Sequence, residues 1–94
     1  MKHWNTLLSE SARRAFYELE DSMQKRMKKA FKFLSKNPFQ KRSGADIKKL
    51  AGSFNPAFYR LRVGDYRIIY LIDKKEVKIT SIIHRSHGYK WLDA

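Results

Sequence analysis

No cysteine occurs among the 94 residues, which excludes disulfide staples, thiolate nucleophiles and cysteine-held zinc. Acidic side chains are scarce, 9 Asp and Glu against 21 Lys and Arg, leaving a formal net charge of +12. That excess points to an anionic partner, nucleic acid first and an acidic protein second. The three histidines show no metal-ligand spacing, so no metal or other cofactor is expected. The longest uninterrupted apolar run, Ile68 to Ile72, falls far short of the ~18 residues a membrane span needs. Met1 to Asn5 lacks the apolar run of a signal peptide. The basic residues also do not gather in one terminal amphipathic arm, which disfavours a membrane surface. The expectation is a soluble, cytoplasmic protein without a membrane partner.

What is present suffices for folding. A hydrophobic fraction of 43%, with 14% aromatic residues, argues against disorder. The length suits one modest core, and no linker, repeat or low-complexity segment interrupts it, so residues 1–94 read as a single domain.

Residues 57 to 73 carry the strongest local signal. Two runs of β-branched and aromatic residues flank Gly64-Asp65, and glycine supplies the positive φ of a tight hairpin turn. A two-residue loop sets Val63 opposite Tyr66, Arg62 opposite Arg67, Leu61 opposite Ile68, Arg60 opposite Ile69 and Tyr59 opposite Tyr70. Alternation then gives a core face of Tyr59, Leu61, Val63, Tyr66, Ile68 and Tyr70. The other face holds Arg60, Arg62 and Arg67 beside Phe58, Ile69 and Leu71. Like charges directly across a ladder cost about 0.2–1 kcal/mol. Guanidinium forks suit phosphate, so the pair reads either as a solvated sheet face or as a grip on an anion.

Upstream, His3 to Leu8 suits an opening strand. Ser9 offers an N-cap with Glu10 in the first turn, and Ala12, Ala15, Phe16 and Leu19 fall at helical spacing, predicting a helix from about Ser9 to Leu19. Glu20-Asp21-Ser22 connects to a second helix whose stripe is Met23, Met27, Ala30, Phe31 and Leu34, ended by Lys36-Asn37-Pro38. Lys25, Arg26, Lys28, Lys29, Lys32 and Lys36 make that helix strongly basic. They suit a solvated face, or one that meets phosphate or an acidic partner.

Phe39 to Phe54 reads as irregular, with at most a helical turn at Asp46 to Leu50. After a second turn at Asp73 to Glu76, Val77 to His84 reads as a strand with Val77, Ile79 and Ile83 on the core face. Arg85 to Tyr89 leaves the sheet, and Trp91 and Leu92 tuck back. The pattern predicts an α+β domain: a small antiparallel sheet of three to four strands, with an N-terminal helical hairpin on one face and the arginine face left open.

Three segments, Ile47-Lys48-Lys49-Leu50-Ala51-Gly52, Tyr59 to Tyr70, and Ile83-His84-Arg85-Ser86-His87-Gly88-Tyr89, together resemble the RelE/ParE superfamily of toxin–antitoxin toxins. The resemblance covers nearly the whole chain; the hairpin run followed by His-Arg, three residues and Tyr is its specific part. It implies two helices packed on a small antiparallel sheet and one of two activities. RelE-like members are ribosome-dependent endoribonucleases that cut mRNA in the ribosomal A site. ParE-like members poison DNA gyrase and lack the basic catalytic set. Both are held inactive by a cognate antitoxin that covers the basic surface, here expected to be acidic and to form a hetero-oligomer with this chain.

Carried over residue by residue, the RelE-like catalytic set falls on Arg60, Arg62, Arg67, Arg85 and Tyr89, which favours the nuclease over the gyrase poison. A degenerate member that binds RNA or antitoxin without cutting is the third alternative. Where the best-known relative has lysines on the first hairpin strand, this chain has Arg60 and Arg62, and arginine does not deprotonate. The proton-transfer group then falls to Tyr89, to Lys48 or Lys49, to a histidine, or to none, with His87 and Lys49 the candidates singled out. Lys25, Lys28, Lys29, Lys32, Lys41, Arg42 and Lys48 are candidates for gripping RNA or the ribosome.

Overall fold

Ser9 fixes the start of the first helix. In the computed structural model, which describes residues 3–39, 46–50 and 56–87, its hydroxyl accepts the Ala12 N–H at 3.0 Å and donates to the Thr80 carbonyl at 2.8 Å. One side chain thereby caps the helix and ties it to the sheet. This helix, α1, spans Glu10–Tyr17, and the second, α2, spans Asp21–Lys36 with Glu20 at its N-cap and Asn37 at its C-cap. Ala12, Phe16, Met27 and Leu34 are buried, so the apolar stripes read from the spacing are the faces that pack.

Among the described residues, five strands form one sheet: β1 (Asn5–Leu8), β2 (Asp46–Lys49), β3 (Phe58–Val63), β4 (Tyr66–Asp73) and β5 (Glu76–His84), in the order β1-β5-β4-β3-β2. The sheet is thus larger than the three to four strands expected, and it is not wholly antiparallel. β1 runs parallel to β5, because α1 and α2 intervene before the chain returns. Asp46 to Lys49, expected as irregular chain, forms an antiparallel edge strand, Ile47 pairing with Leu61 and Lys48 with Arg60. Its four residues are too few for periodicity to distinguish strand from helix, so the pairing edge of β3 decides.

The β3–β4 hairpin has the register that a two-residue Gly64-Asp65 loop dictates, from Val63↔Tyr66 to Tyr59↔Tyr70. Gly64 sits at φ +60, and a Cβ there would stand 3.0 Å from Arg26 Nη1 on α2. Glycine therefore serves the turn through its positive φ, with the tip of the Arg26 side chain lying against it. At the β4–β5 turn the positive φ falls on a non-glycine residue, Lys74 at 58°.

One irregularity alters the face assignment of β5. Ile69 pairs with Ser81 but Tyr70 with Ile79, so Thr80 is an extra residue, a β-bulge. Its hydroxyl donates to the Ile69 carbonyl at 3.2 Å, while its carbonyl takes the Ser9 hydroxyl. Alternation flips there: Val77, Ile79 and Ile82 join the core, and Ile83, expected in the core, lies on the opposite face.

The main core lies between the helices and the sheet face bearing Leu61, Ile68 and Tyr70. Tyr70 is fully buried; its hydroxyl donates to the Pro38 carbonyl at 2.8 Å and its ring stacks on Tyr59 at 5.6 Å. Burial, with Tyr59 beside it, pushes its phenol pKa above the ordinary value. The other sheet face is not bare, as the two-layer reading expected. Leu50 and Ile69, with Phe58 and Ile83 packed on them, form a second small apolar cluster.

Candidate functional site

Strand alternation and ladder register together place the arginines. Leu61 and Ile68 point into the main core, so Arg60, Arg62 and Arg67 share the opposite face, in two adjacent cross-strand rows. One row runs Asp46, Arg62, Arg67, Ile83; the next runs Lys48, Arg60, Ile69, Ser81. The like-charge pair Arg62↔Arg67 is therefore real, and the three guanidinium-bearing positions are not scattered around the domain.

Their exposure differs from the expectation of an open arginine face. Arg62 is exposed, but Arg60 and Arg67 are only 7% and 6% accessible. The second apolar cluster explains part of this, since Ile69 and Ile83 stand directly beside Arg60 and Arg67 in the ladder. Long guanidinium stems bury readily along such apolar surface. Arg67 Nη1 also donates to the Tyr66 carbonyl at 3.4 Å.

Arg85 follows β5 at the start of a 3-10 turn, Arg85–His87, and is exposed. Its backbone N–H donates to the Asp65 carbonyl at 2.8 Å, extending the β4–β5 ladder one step past Tyr66↔His84. Its Nε lies 3.5 Å from Asp65 Oδ1. His84 braces this turn: its Nδ1 accepts the Ser86 N–H at 3.1 Å and lies 2.7 Å from the Ser86 hydroxyl. With Nδ1 accepting, the ring proton belongs on Nε2. The Tyr66 ring packs edge-on against His84 at 4.9 Å.

The two lysines of β2 part company. Lys48 is opposite Arg60 and shares its face, whereas Lys49, opposite Tyr59, belongs by alternation to the helix side. Both are exposed. Lys49, singled out for proton transfer, is thus turned away from the arginine rows. His87 closes the 3-10 turn. Tyr89, Lys41 and Arg42 lie outside the described residues.

Lys25, Lys28, Lys29 and Lys32 are exposed on α2, in the layer across the sheet from the arginines. Three of them, Lys28, Lys29 and Lys32, rim a groove of about 570 Å³ between α2 and β1 whose other walls include Trp4 and Phe31. Basic character is therefore split between two surfaces. Arg26 links them, its guanidinium resting over Gly64 at the hairpin tip. Sequence reasoning gave no site role to Arg26, Asp65 or His84. Only the Gly-Asp turn hinted at a close approach, and nothing named the partner.

Comparison with known proteins follows the same lines. Residues 6–89 match the family described as ParE toxin of type II toxin-antitoxin system, parDE. No curated protein sequence matches. Among solved structures, the chain is similar to the archaeal RelE-RelB complex from Pyrococcus horikoshii OT3, with 26% identity, 92% of this chain and 99% of that chain covered, and a TM-score of 0.79. It is also similar to the toxin-antitoxin complex RelBE2 from Mycobacterium tuberculosis, at 26% identity, 92% and 95% coverage and a TM-score of 0.73. The YoeB dimer from Staphylococcus aureus, 20% identical, shares the fold with a TM-score of 0.68 over 84% of this chain and 93% of that one.

Proposed function

This chain belongs to the RelE/ParE superfamily of type II toxins, and from that premise we propose that it is a RelE-like endoribonuclease that cuts ribosome-bound mRNA. As the toxin of a toxin–antitoxin pair, it has an antitoxin as its partner. The observation that carries the nuclease reading is the gathering of Arg60, Arg62 and Arg67 on one sheet face, with Arg85 held beside the hairpin turn at Asp65.

Cleavage by a neighbouring 2′-hydroxyl requires the nucleotide to be held for in-line attack while charge builds on a five-coordinate phosphorane. Fixed cations aimed at that charge stabilise it without reorganising. Arg60 and Arg67 are buried beside Ile69 and Ile83, whereas Arg62 and Arg85 are exposed on the surface where substrate arrives. Tyr89 is assigned to stack on a base or orient the 2′-hydroxyl. For proton transfer, the amine that shares the face is Lys48, which supports it above Lys49; His87 is the alternative. The α2 lysines are assigned to ribosomal RNA or to the antitoxin.

The family match, described as ParE, favours a second reading, a gyrase poison without nuclease activity. Induced expression separates the two. The nuclease halts protein synthesis and leaves mRNA cut within codons. DNA breaks and SOS induction with translation continuing would establish the gyrase reading instead.

A further inference from the structure

We infer that Asp65 is an internal competitor for Arg85, an anion that occupies its guanidinium until an RNA phosphate takes its place. The inference rests on the nuclease reading above and adds a residue to that site. Three contacts carry it. The Arg85 N–H is held by the Asp65 carbonyl at 2.8 Å, so the two residues stay neighbours whatever their side chains do. The Asp65 carboxylate then lies 3.5 Å from Arg85 Nε. Finally, the bond from Ser86 N–H to His84 Nδ1, with Tyr66 packed on the His84 ring, fixes the turn on which Arg85 sits.

The strength of the ion pair matters as much as its presence. Both side chains are largely in solvent, 67% and 61% exposed, and the separation is loose. Exposed pairs of this kind contribute at most about 1 kcal/mol. Arg85 is thus directed toward the hairpin tip but not locked there. A phosphate that also meets the Arg62↔Arg67 pair gains charge contacts beyond the Arg85 guanidinium, which one exposed carboxylate does not have. Asp65 is two residues from Arg67, about 7 Å along the strand, so an anion displacing it would lie within reach of the Arg62↔Arg67 pair. The Asp65 carboxylate therefore both aims Arg85 and opposes the arrival of phosphate.

The test is a double-mutant cycle on binding. Asp65→Asn removes the charge while retaining the turn and the carbonyl that holds Arg85. Affinity for a short 2′-O-methyl RNA, which cannot be cleaved, is measured by fluorescence anisotropy for wild type, Asp65→Asn, Arg85→Gln and the double variant at low and high salt. The expected result is a two- to five-fold gain for Asp65→Asn at low salt, vanishing at high salt and absent when Arg85 is already Gln. An unchanged or lower affinity overturns the inference. So does an equal gain in the Arg85→Gln background, which would make Asp65 a general repulsive charge. If wild type shows no salt-dependent RNA affinity, or binds and Asp65→Asn gains nothing, this inference falls; the nuclease reading falls separately, if induced expression leaves translation running and mRNA uncut.

Discussion

Arg62 and Arg67 face each other across one ladder step yet do different physical work. Arg62 is exposed, so Arg62→Ala should leave stability within about 0.5 kcal/mol of wild type while abolishing toxicity. Arg67 is buried beside Ile83, and truncating it removes that packing and its bond to the Tyr66 carbonyl, at a cost of about 1–3 kcal/mol. Arg67→Ala is therefore expected to lose toxicity and stability together, and thermal unfolding of the two variants side by side checks the contrast. Tyr70 gives a second residue-scale test. Tyr70→Phe leaves the Pro38 carbonyl without its donor and should destabilise by about 1–3 kcal/mol. The raised phenol pKa means that the native state holds this proton more tightly than the unfolded chain does. Its contribution is complete below the unfolded value, about 10, and is lost as pH rises beyond that. Alkaline unfolding should accordingly flatten in Tyr70→Phe.

Beside the shared core, identifiable polar contacts tie the elements together. Ser9 caps α1 and clasps the bulge at Thr80, and that bulge decides which isoleucines of β5 enter the core. Arg26 of α2 rests on the tip of the β3–β4 hairpin, where glycine leaves room for it. The β4–β5 turn, by contrast, holds Lys74 in a conformation that suits glycine. Lys74→Gly should relieve that strain and stabilise the domain by about 0.5–1 kcal/mol. For a domain of this size, a melting-temperature rise of about 2–8 °C is the measurement.

At the scale of the molecule, two basic surfaces stand on opposite sides of the sheet, arginines on one sheet face and lysines along α2. The groove beside β1 joins a lysine rim to the aromatic walls of Trp4 and Phe31, a combination suited to an acidic segment with apolar anchors. Lys28→Glu with Lys32→Glu should weaken capture by the antitoxin at least ten-fold without changing the melting temperature, as titration of the purified chains would show. Ribosome affinity should fall steeply with salt, since each phosphate contact releases counterions.

The amino-acid sequence by itself determined the hairpin, its register and the shared face of Arg60, Arg62 and Arg67, because a two-residue turn leaves alternation no freedom. The helices and their buried stripes were equally local, written in caps and spacing. Only the tertiary structure made Asp46 to Lys49 an edge strand, since four residues gain strand character from the neighbour they pair with. It alone turned Ile83 out of the core, through one extra residue at Thr80, and buried Arg60 and Arg67, whose accessibility depends on what surrounds them. The Asp65–Arg85 contact belongs to the same class. Twenty positions separate the two in the chain, and no local pattern reports a meeting that the return of β5 beside β4 creates.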